Sequence, residues 1–441
     1  MIGAWLLAAV LAAAGTSASS LPPLKDPVQA LEERPLAEVQ ALADKGDPVA
    51  MTALARMLDD GRAGEIDHVR ALALFQKAAA AGNAKAVAGL GYTSQMGWGV
   101  PQDYAAAMAQ YRKAIDLGDP AAAADVGNLY NRGLGVPRDY VQAMTWYEKA
   151  RVAGSLHALD YIGSLYAGGH GVPQDYAKAM ALYQASADAG NGNGDANLGV
   201  LYALGRGVTQ DKGKAVELYR AGVVAHFPGN SMFLLGLAYA GGEGVAQDDA
   251  QAVTWYSRAA GLGSRLAMYQ LGVALEKGRG VDIDLAQSRA WLLKSADLGD
   301  TGAQIHLGNL YQEGRGVPID EAQAFKWYKT AADQGDRVGQ VDLGMAYLLG
   351  WGVPVDLAKA NELFEMAALR GQRDAEEALG VSEMTGRGRP VDKVAALKWF
   401  TLAAAAGDGS APQDIQTIEA GMSPVDIAKA KAQASEFKPT D

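Results

Sequence analysis

The 441-residue sequence has no cysteine. Disulfides, thiolate catalysis and Cys-based metal sites are therefore excluded, as is a lipid anchor on an N-terminal Cys. Phenylalanine is scarce, at 7 residues, although 49% of the chain is hydrophobic and much of that is Ala. Such a core suits closely packed helices better than sheets. Basic residues are in deficit: 39 Lys and Arg face 50 Asp and Glu, a formal net charge of −11. Phosphate binding needs a basic surface, so nucleic acid is not an expected partner.

Long apolar runs are lacking too. Trp5 to Gly15 is an apolar run of 11 residues, short of the ~20 that a membrane-crossing helix needs. Small residues follow, with a small-x-small site at Thr16-Ser17-Ala18. Residues 1–18 thus read as a secretory signal peptide, although no Lys or Arg precedes the apolar run. An Ala-rich N-terminus without targeting function is the alternative. With the signal, the expected location is periplasmic or secreted, without stable membrane insertion. Catalytic motifs are missing as well: there is no H-E-x-x-H, G-x-S-x-G or P-loop. The five histidines (68, 157, 170, 226 and 306) fall at different registers and suggest no metal cluster. Accordingly no catalytic residue, metal site or cofactor is expected. "GNGNGD" at 190–195 is read as the start of a helix, because its acidic ligands are too few for a calcium loop.

What the sequence does have is a period. The pattern G-x-G begins at Gly97, Gly133, Gly169, Gly205, Gly242, Gly278, Gly314, Gly350 and Gly386, in steps of 36 residues with one step of 37. An acid stands six residues after each first glycine, from Asp103 to Asp392, and Gly61 with Asp67 adds a degenerate first copy. Apolar residues on both sides recur at i, i+3, i+4 and i+7, the spacing of a helix face. The Asp stands where a helix N-cap belongs, and a further glycine closes each copy. Each copy is therefore predicted as helix A, a Gly turn, helix B and a Gly turn. Inside helix A, Gly127, Gly163, Gly199, Gly236, Gly272, Gly308 and Gly344 recur. Each costs about 1 kcal/mol against Ala in a helix, so a close approach by a neighbouring helix is expected there.

The segments "VGNLY" (126–130), "AMTWYEKA" (143–150) and "AFKWYKTAA" (324–332), set around G-x-G-V and the acid, carry a resemblance. The chain resembles the Sel-1-like repeat family, relatives of the tetratricopeptide repeat, over roughly residues 47–407. The resemblance implies an all-α, right-handed α-solenoid superhelix of about ten 36-residue helix-turn-helix repeats, with helix A lining the concave side. Residues 19–46 would form a linker and capping helix, interrupted at Pro35, and residues 408–441 C-terminal capping helices, with Ser423 capping a helix to about Phe437. The 37-residue step falls at "AHFPGNSMF", 225–233, and reads as a register correction.

Positions flanking the helix A core residue point away from its apolar sector at 100° per residue. They are Asp125 and Asn128, Tyr161 and Ser164, Asn197 and Val200, Leu234 and Leu237, Gln270 and Val273, His306 and Asn309, and Asp342 and Met345. This face changes from copy to copy and suits an extended segment or amphipathic helix of a partner. Contact of Leu234 and Leu237 with adjacent helices is the competing reading. Trp146, Trp255, Trp291, Trp327 and Trp399 share one helix B register and read as core. Trp98 and Trp351 occupy the x of G-x-G, where the other copies hold Leu134, His170, Arg206, Glu243, Arg279, Arg315 and Arg387. That position reads as solvent-facing, so the two rings, with Arg279 and Arg315, form a candidate ridge for a partner or glycan; a ring lying on Pro101 or Pro354 is the alternative.

The expected function is that of a non-catalytic exported interaction scaffold, its partner another protein of the cell envelope. Cell-wall glycan or exopolysaccharide binding is the alternative. A third reading, penicillin hydrolysis, follows from cysteine-rich relatives whose paired cysteines this chain lacks.

Overall fold

The computed structural model describes residues 26–225 and 228–440; the signal-peptide segment, residues 1–18, lies outside the described residues. Among them are twenty-four helices and no strand. Two short helices, Pro27–Glu32 and Leu36–Asp44, precede the array and are separated at Pro35. Ten helical pairs follow. Repeats 1 to 5 pair Pro48–Asp59 with His68–Ala80, Ala84–Met96 with Tyr104–Asp116, Ala122–Arg132 with Tyr140–Val152, Leu156–Gly168 with Tyr176–Asp188, and Gly192–Leu204 with Lys212–Val223. Repeats 6 to 10 pair Gly229–Gly241 with Asp249–Gly261, Arg265–Lys277 with Leu285–Asp297, Thr301–Glu313 with Glu321–Asp333, Arg337–Leu349 with Leu357–Ala368, and Arg373–Thr385 with Lys393–Ala405. Helices Ala411–Glu419 and Pro424–Glu436 close the array, the second capped by Ser423.

The turn chemistry explains why these pairs form. Each helix B starts at an Asp whose carboxylate accepts a backbone N–H of its first turn, as Asp320 does from Gln323 at 3.0 Å. The bond satisfies one of the donors a helix start leaves orphaned. From repeat 2 onward, the first glycine of each G-x-G ends helix A in the left-handed conformation, as at Gly314, with φ 71°. The second has positive φ as well and lies against the start of the preceding helix B. A methyl group on Gly171 would stand 2.6 Å from Cβ of Tyr140. The two glycines thus fix both the turn and the distance between repeats.

Six of the seven recurring helix A glycines share one explanation, and at the seventh, Gly272, Leu292 takes the place of the ring. At Gly127 an added methyl would meet the Tyr147 ring at 2.5 Å, and at Gly344 the Phe364 ring at 2.6 Å. The helix B aromatic packs directly against the helix A backbone at these positions, and only glycine leaves room for it. These rings are the most deeply buried large side chains: Tyr111, Tyr147, Tyr328, Phe364 and Phe400 are at most 1% exposed. The tryptophan one position earlier is mostly not core. Trp146, Trp255, Trp291 and Trp327 are half-buried and only Trp399 is buried, a correction to the sequence expectation. The rings of Trp146, Trp255 and Trp291 are covered by a cation three residues on, Lys149 at 3.8 Å, Arg258 at 4.8 Å and Lys294 at 5.0 Å.

Successive A helices touch, as in repeats 4, 5 and 6, whereas no pair of successive B helices reaches the same contact. Helix A therefore runs on the inner, shorter path of the curve. The long step between repeats 5 and 6 is absorbed before Gly229, after which helix A has its usual 13 residues. At the "GNGNGD" stretch, Asn191 caps helix A of repeat 5. Gly194 lets that helix press on the end of the preceding helix B, where a methyl would meet the Tyr183 carbonyl at 2.5 Å.

The curvature brings distant repeats together. Ile66, Met96 and Trp98, on the A–B turns of repeats 1 and 2, share one apolar cluster with Met268, Leu271 and Leu298. A methyl on Gly263 would lie 3.1 Å from Asp60, and one on Gly299 3.1 Å from Met96. The superhelix thus completes a turn in five to six repeats, and the A–B turns of repeats 1 and 2 rest on the B–A turns that follow repeats 6 and 7.

Candidate functional site: the concave face and the turn ridge

Every proposed groove residue lies on the inner helices and is partly open. Asp125, Asn128, Tyr161, Asn197, Leu234, Gln270, His306, Asn309 and Asp342 are half-buried, and Leu237 is exposed. Their neighbours divide them. Asn128 and Asn309 each accept a hydrogen bond, at 2.7 Å, from the hydroxyl of the buried helix B tyrosine, Tyr147 or Tyr328. These two asparagines satisfy a core phenol before they can serve a partner. Leu234 packs against the Tyr219–Leu235 core, in line with the competing reading, while Leu237 stays open.

Asp125 is half-buried on helix A of repeat 3. Removal from water, reinforced by the negative charge of Asp119, raises its carboxyl to about 7. Asp342 reaches about 7 for the same reasons, burial first and then the charges of Asp336 and Asp374. Between them in the array, Asp160 is buried and raised to about 6 by desolvation, against hydrogen bonds from Ser186, Asn197 and Asn191. The Asn191 amide donates to Asp160 at 2.8 Å and to Ser186 at 2.9 Å. His306 meets Glu276 at 2.5 Å, and Glu276 also binds Arg315. Arg315 is therefore tied to the groove through Glu276 rather than free on the ridge. Gln270 and Arg279 line a cavity of about 120 Å³ with Tyr256 and Val273.

The ridge reading of Trp98 is corrected by the structure. Trp98 is 8% exposed. Its ring stacks on His68 at 4.2 Å and takes the edge of Tyr92 at 5.1 Å, inside the contact between coils. The same position is exposed at His170, Arg206, Glu243, Arg279, Arg315 and Arg387, and it is buried at Trp98, where the second coil packs on it. Trp351 is half-buried and Arg279 exposed.

Sequence reasoning missed the buried polar side chains. The helix A position three residues before the core leucine holds Met232 and Met268, then Gln304, Gln340 and Glu376 in repeats 8 to 10. The change to polar residues in repeats 8 to 10, in a column whose earlier polar member is Asp195, was legible in register, but its burial was not. No group of three or more His, Cys, Asp or Glu suited to a metal ion occurs among the described residues. None of their helices is long and apolar enough to cross a membrane.

The Sel1 repeat model matches ten segments: residues 48–83, 84–119, 120–153, 156–191, 194–222, 229–264, 265–300, 301–336, 338–372 and 373–408. A Sel1 repeat protein from Oxalobacter formigenes has 24% identity, covers 92% of this chain and 98% of its own, and superposes with a TM-score of 0.40. A protective antigen of uropathogenic Escherichia coli, described as having an SLR fold, has 28% identity, covers 92% and 94%, and gives 0.39. An immunity protein of Pseudomonas aeruginosa has 23% identity over 57% of this chain and 85% of its own, at 0.35. No curated protein matches the sequence.

Proposed function

Because the chain belongs to the Sel1 repeat family, whose members generally mediate protein–protein interaction, we propose that it is a non-catalytic scaffold holding a partner segment in the concave groove. One observation carries this reading. The buried faces repeat a ring-on-glycine contact in every copy from repeat 3 to repeat 9 except repeat 7, where Leu292 replaces the ring, whereas the inner-facing register changes from copy to copy through Asp125, Tyr161, Asn197, Leu234, Gln270, His306 and Asp342. A surface that varies on an invariant frame is suited to reading a non-repetitive sequence. Its polar ends and apolar middle at Leu237 suit an extended segment with an apolar centre. The partner is another protein of the cell envelope, met in the periplasm or outside the cell after removal of residues 1–18. The glycan alternative loses its paired aromatic platform, since Trp98 is covered.

The test is affinity capture from a periplasmic extract with crosslinks mapped to repeats. Crosslinks should fall on helix A of repeats 3 to 9, and Asp125→Asn with Asp342→Asn should reduce capture without lowering the melting temperature. Crosslinks confined to the convex B helices would refute the groove.

A further inference from the structure

The contact between the two coils explains a sequence pattern that the groove does not. The residue before the helix B N-cap is Ile66 in repeat 1, then Gln102, Arg138, Gln174, Gln210 and Gln247 in repeats 2 to 6. Three of these glutamines, Gln102, Gln174 and Gln210, turn back to donate to a carbonyl of the preceding helix A at 2.8–2.9 Å. From repeat 7 onward the position becomes apolar again: Ile283, Ile319, Val355 and Val391. These four are 57–67% exposed, so local packing of the turn does not cover them.

Repeat 9 carries the rest of the same element. Leu349-Gly350-Trp351 is the register copy of Met96-Gly97-Trp98. In repeat 2 that element is seated on Leu298 and Gly299, the end of a helix B in the next coil. Among the described residues no further coil lies above repeat 9, and Leu349 is 51% exposed. The receiving surface also has an unused copy. Leu117-Gly118 ends helix B of repeat 2 as Leu298-Gly299 ends that of repeat 7. Leu298 is buried, whereas Leu117 is 47% exposed and nothing lies within 4 Å of a methyl placed on Gly118. Gly82 and Gly154, at the neighbouring turns of the first coil, are equally open.

We infer that the chain associates head to tail with a second copy of itself, the turn ridge of repeats 7–10 seating on the B–A turns of the partner's first coil and continuing the intramolecular coil contact. Where this ridge meets another coil it carries Ile66, Met96 and Trp98. Its pre-cap position is Gln or Arg from repeat 2, which joins that contact through Met96 and Trp98 rather than Gln102, to repeat 6. Over repeats 7 to 10, which no coil among the described residues covers, it becomes apolar again, and the ridge then offers the same kind of surface as the intramolecular contact. Donor and acceptor lie on different surfaces, so the contact is heterologous and can propagate beyond two copies.

Sedimentation velocity of the purified protein over a range of concentrations tests this. The wild type should show a mass average that rises past one copy. The ridge variant Leu349→Gln/Trp351→Arg/Val355→Gln and the acceptor variant Leu117→Glu should each remain single copies, with unchanged circular dichroism and melting temperature. Mixing the two variants should restore dimers and nothing larger, since each retains one intact surface. A wild type that stays a single copy at hundreds of micromolar would overturn the proposal. So would dimers lost in the ridge variant but kept in Leu117→Glu, which indicate a ridge-on-ridge contact. Capture of an envelope partner by helix A is read separately, so this result and the groove reading fail independently.

Discussion

Glu376 offers a quantitative test of how the array handles a buried charge. Its side chain sits in the first turn of helix A in repeat 10, 3% exposed, with Oε2 buried and unpartnered. In repeat 8 the same register holds Gln304, whose amide donates to the Ala296 carbonyl at 3.0 Å, at the end of the preceding helix B. A carboxylate cannot make that bond. Desolvation accordingly raises the Glu376 carboxyl from 4.5 to about 7, with only the nearby Lys398 charge opposing the rise. The folded state therefore binds the proton more tightly than the unfolded chain does. Stability from this group is fully present below about pH 4.5 and is lost as pH rises toward 7. A shift of this size corresponds to about 3 kcal/mol. Glu376→Gln should remove that loss and supply the donor that Gln304 provides. Urea unfolding at pH 5 and pH 8, followed by hydrogen exchange in repeats 9 and 10, reads the effect locally, because solenoid repeats unfold in part independently. The variant should be the more stable protein at pH 8, with the difference shrinking toward pH 5. Equal stability of the two proteins at pH 8, or a difference that grows as pH falls, would refute the reasoning.

Gly127→Ala should destabilise despite its helix-propensity gain of about 1 kcal/mol. The methyl would meet the Tyr147 ring at 2.5 Å, and overpacking of this kind costs about 1–3 kcal/mol. In a Tyr147→Ala background the same change should stabilise, and thermal denaturation of all four proteins checks the reversal of sign. Trp98→Ala removes a ring stacked on His68 inside the coil contact; a cost of about 3–5 kcal/mol and a larger radius of gyration by small-angle scattering are expected, and an unchanged radius would mean that the coils are held elsewhere. Asp320→Ala should cost about 1 kcal/mol by losing a helix cap, measurable as faster exchange at the start of helix B in repeat 8.

The helical pairs were legible because their causes are local. An Asp capping a helix, a glycine with positive φ and an apolar face at 3.6-residue spacing act within a few residues of themselves, so the 36-residue step showed them directly. The need for close packing at Gly127 was legible as well. That its partner is the ring of Tyr147, twenty residues on, was not, because it depends on how the two helices cross. The groove was readable as a set of positions but not as an environment. Asp125 and Asp342 appear in sequence as ordinary surface acids, and Asn128 as a free amide, until the neighbouring helices surround the first two and Tyr147 engages the third.

The tryptophan pair marks the boundary most clearly. Trp98 and Trp351 occupy the same register in the same motif, and the sequence alone assigns them the same surroundings. Repeat number and local chemistry were set by the sequence through short-range hydrogen bonds and sterics. Which ridge residues are covered was decided by curvature, a sum of small rotations over five to six repeats, which lays a second coil over Trp98 and leaves none above Trp351.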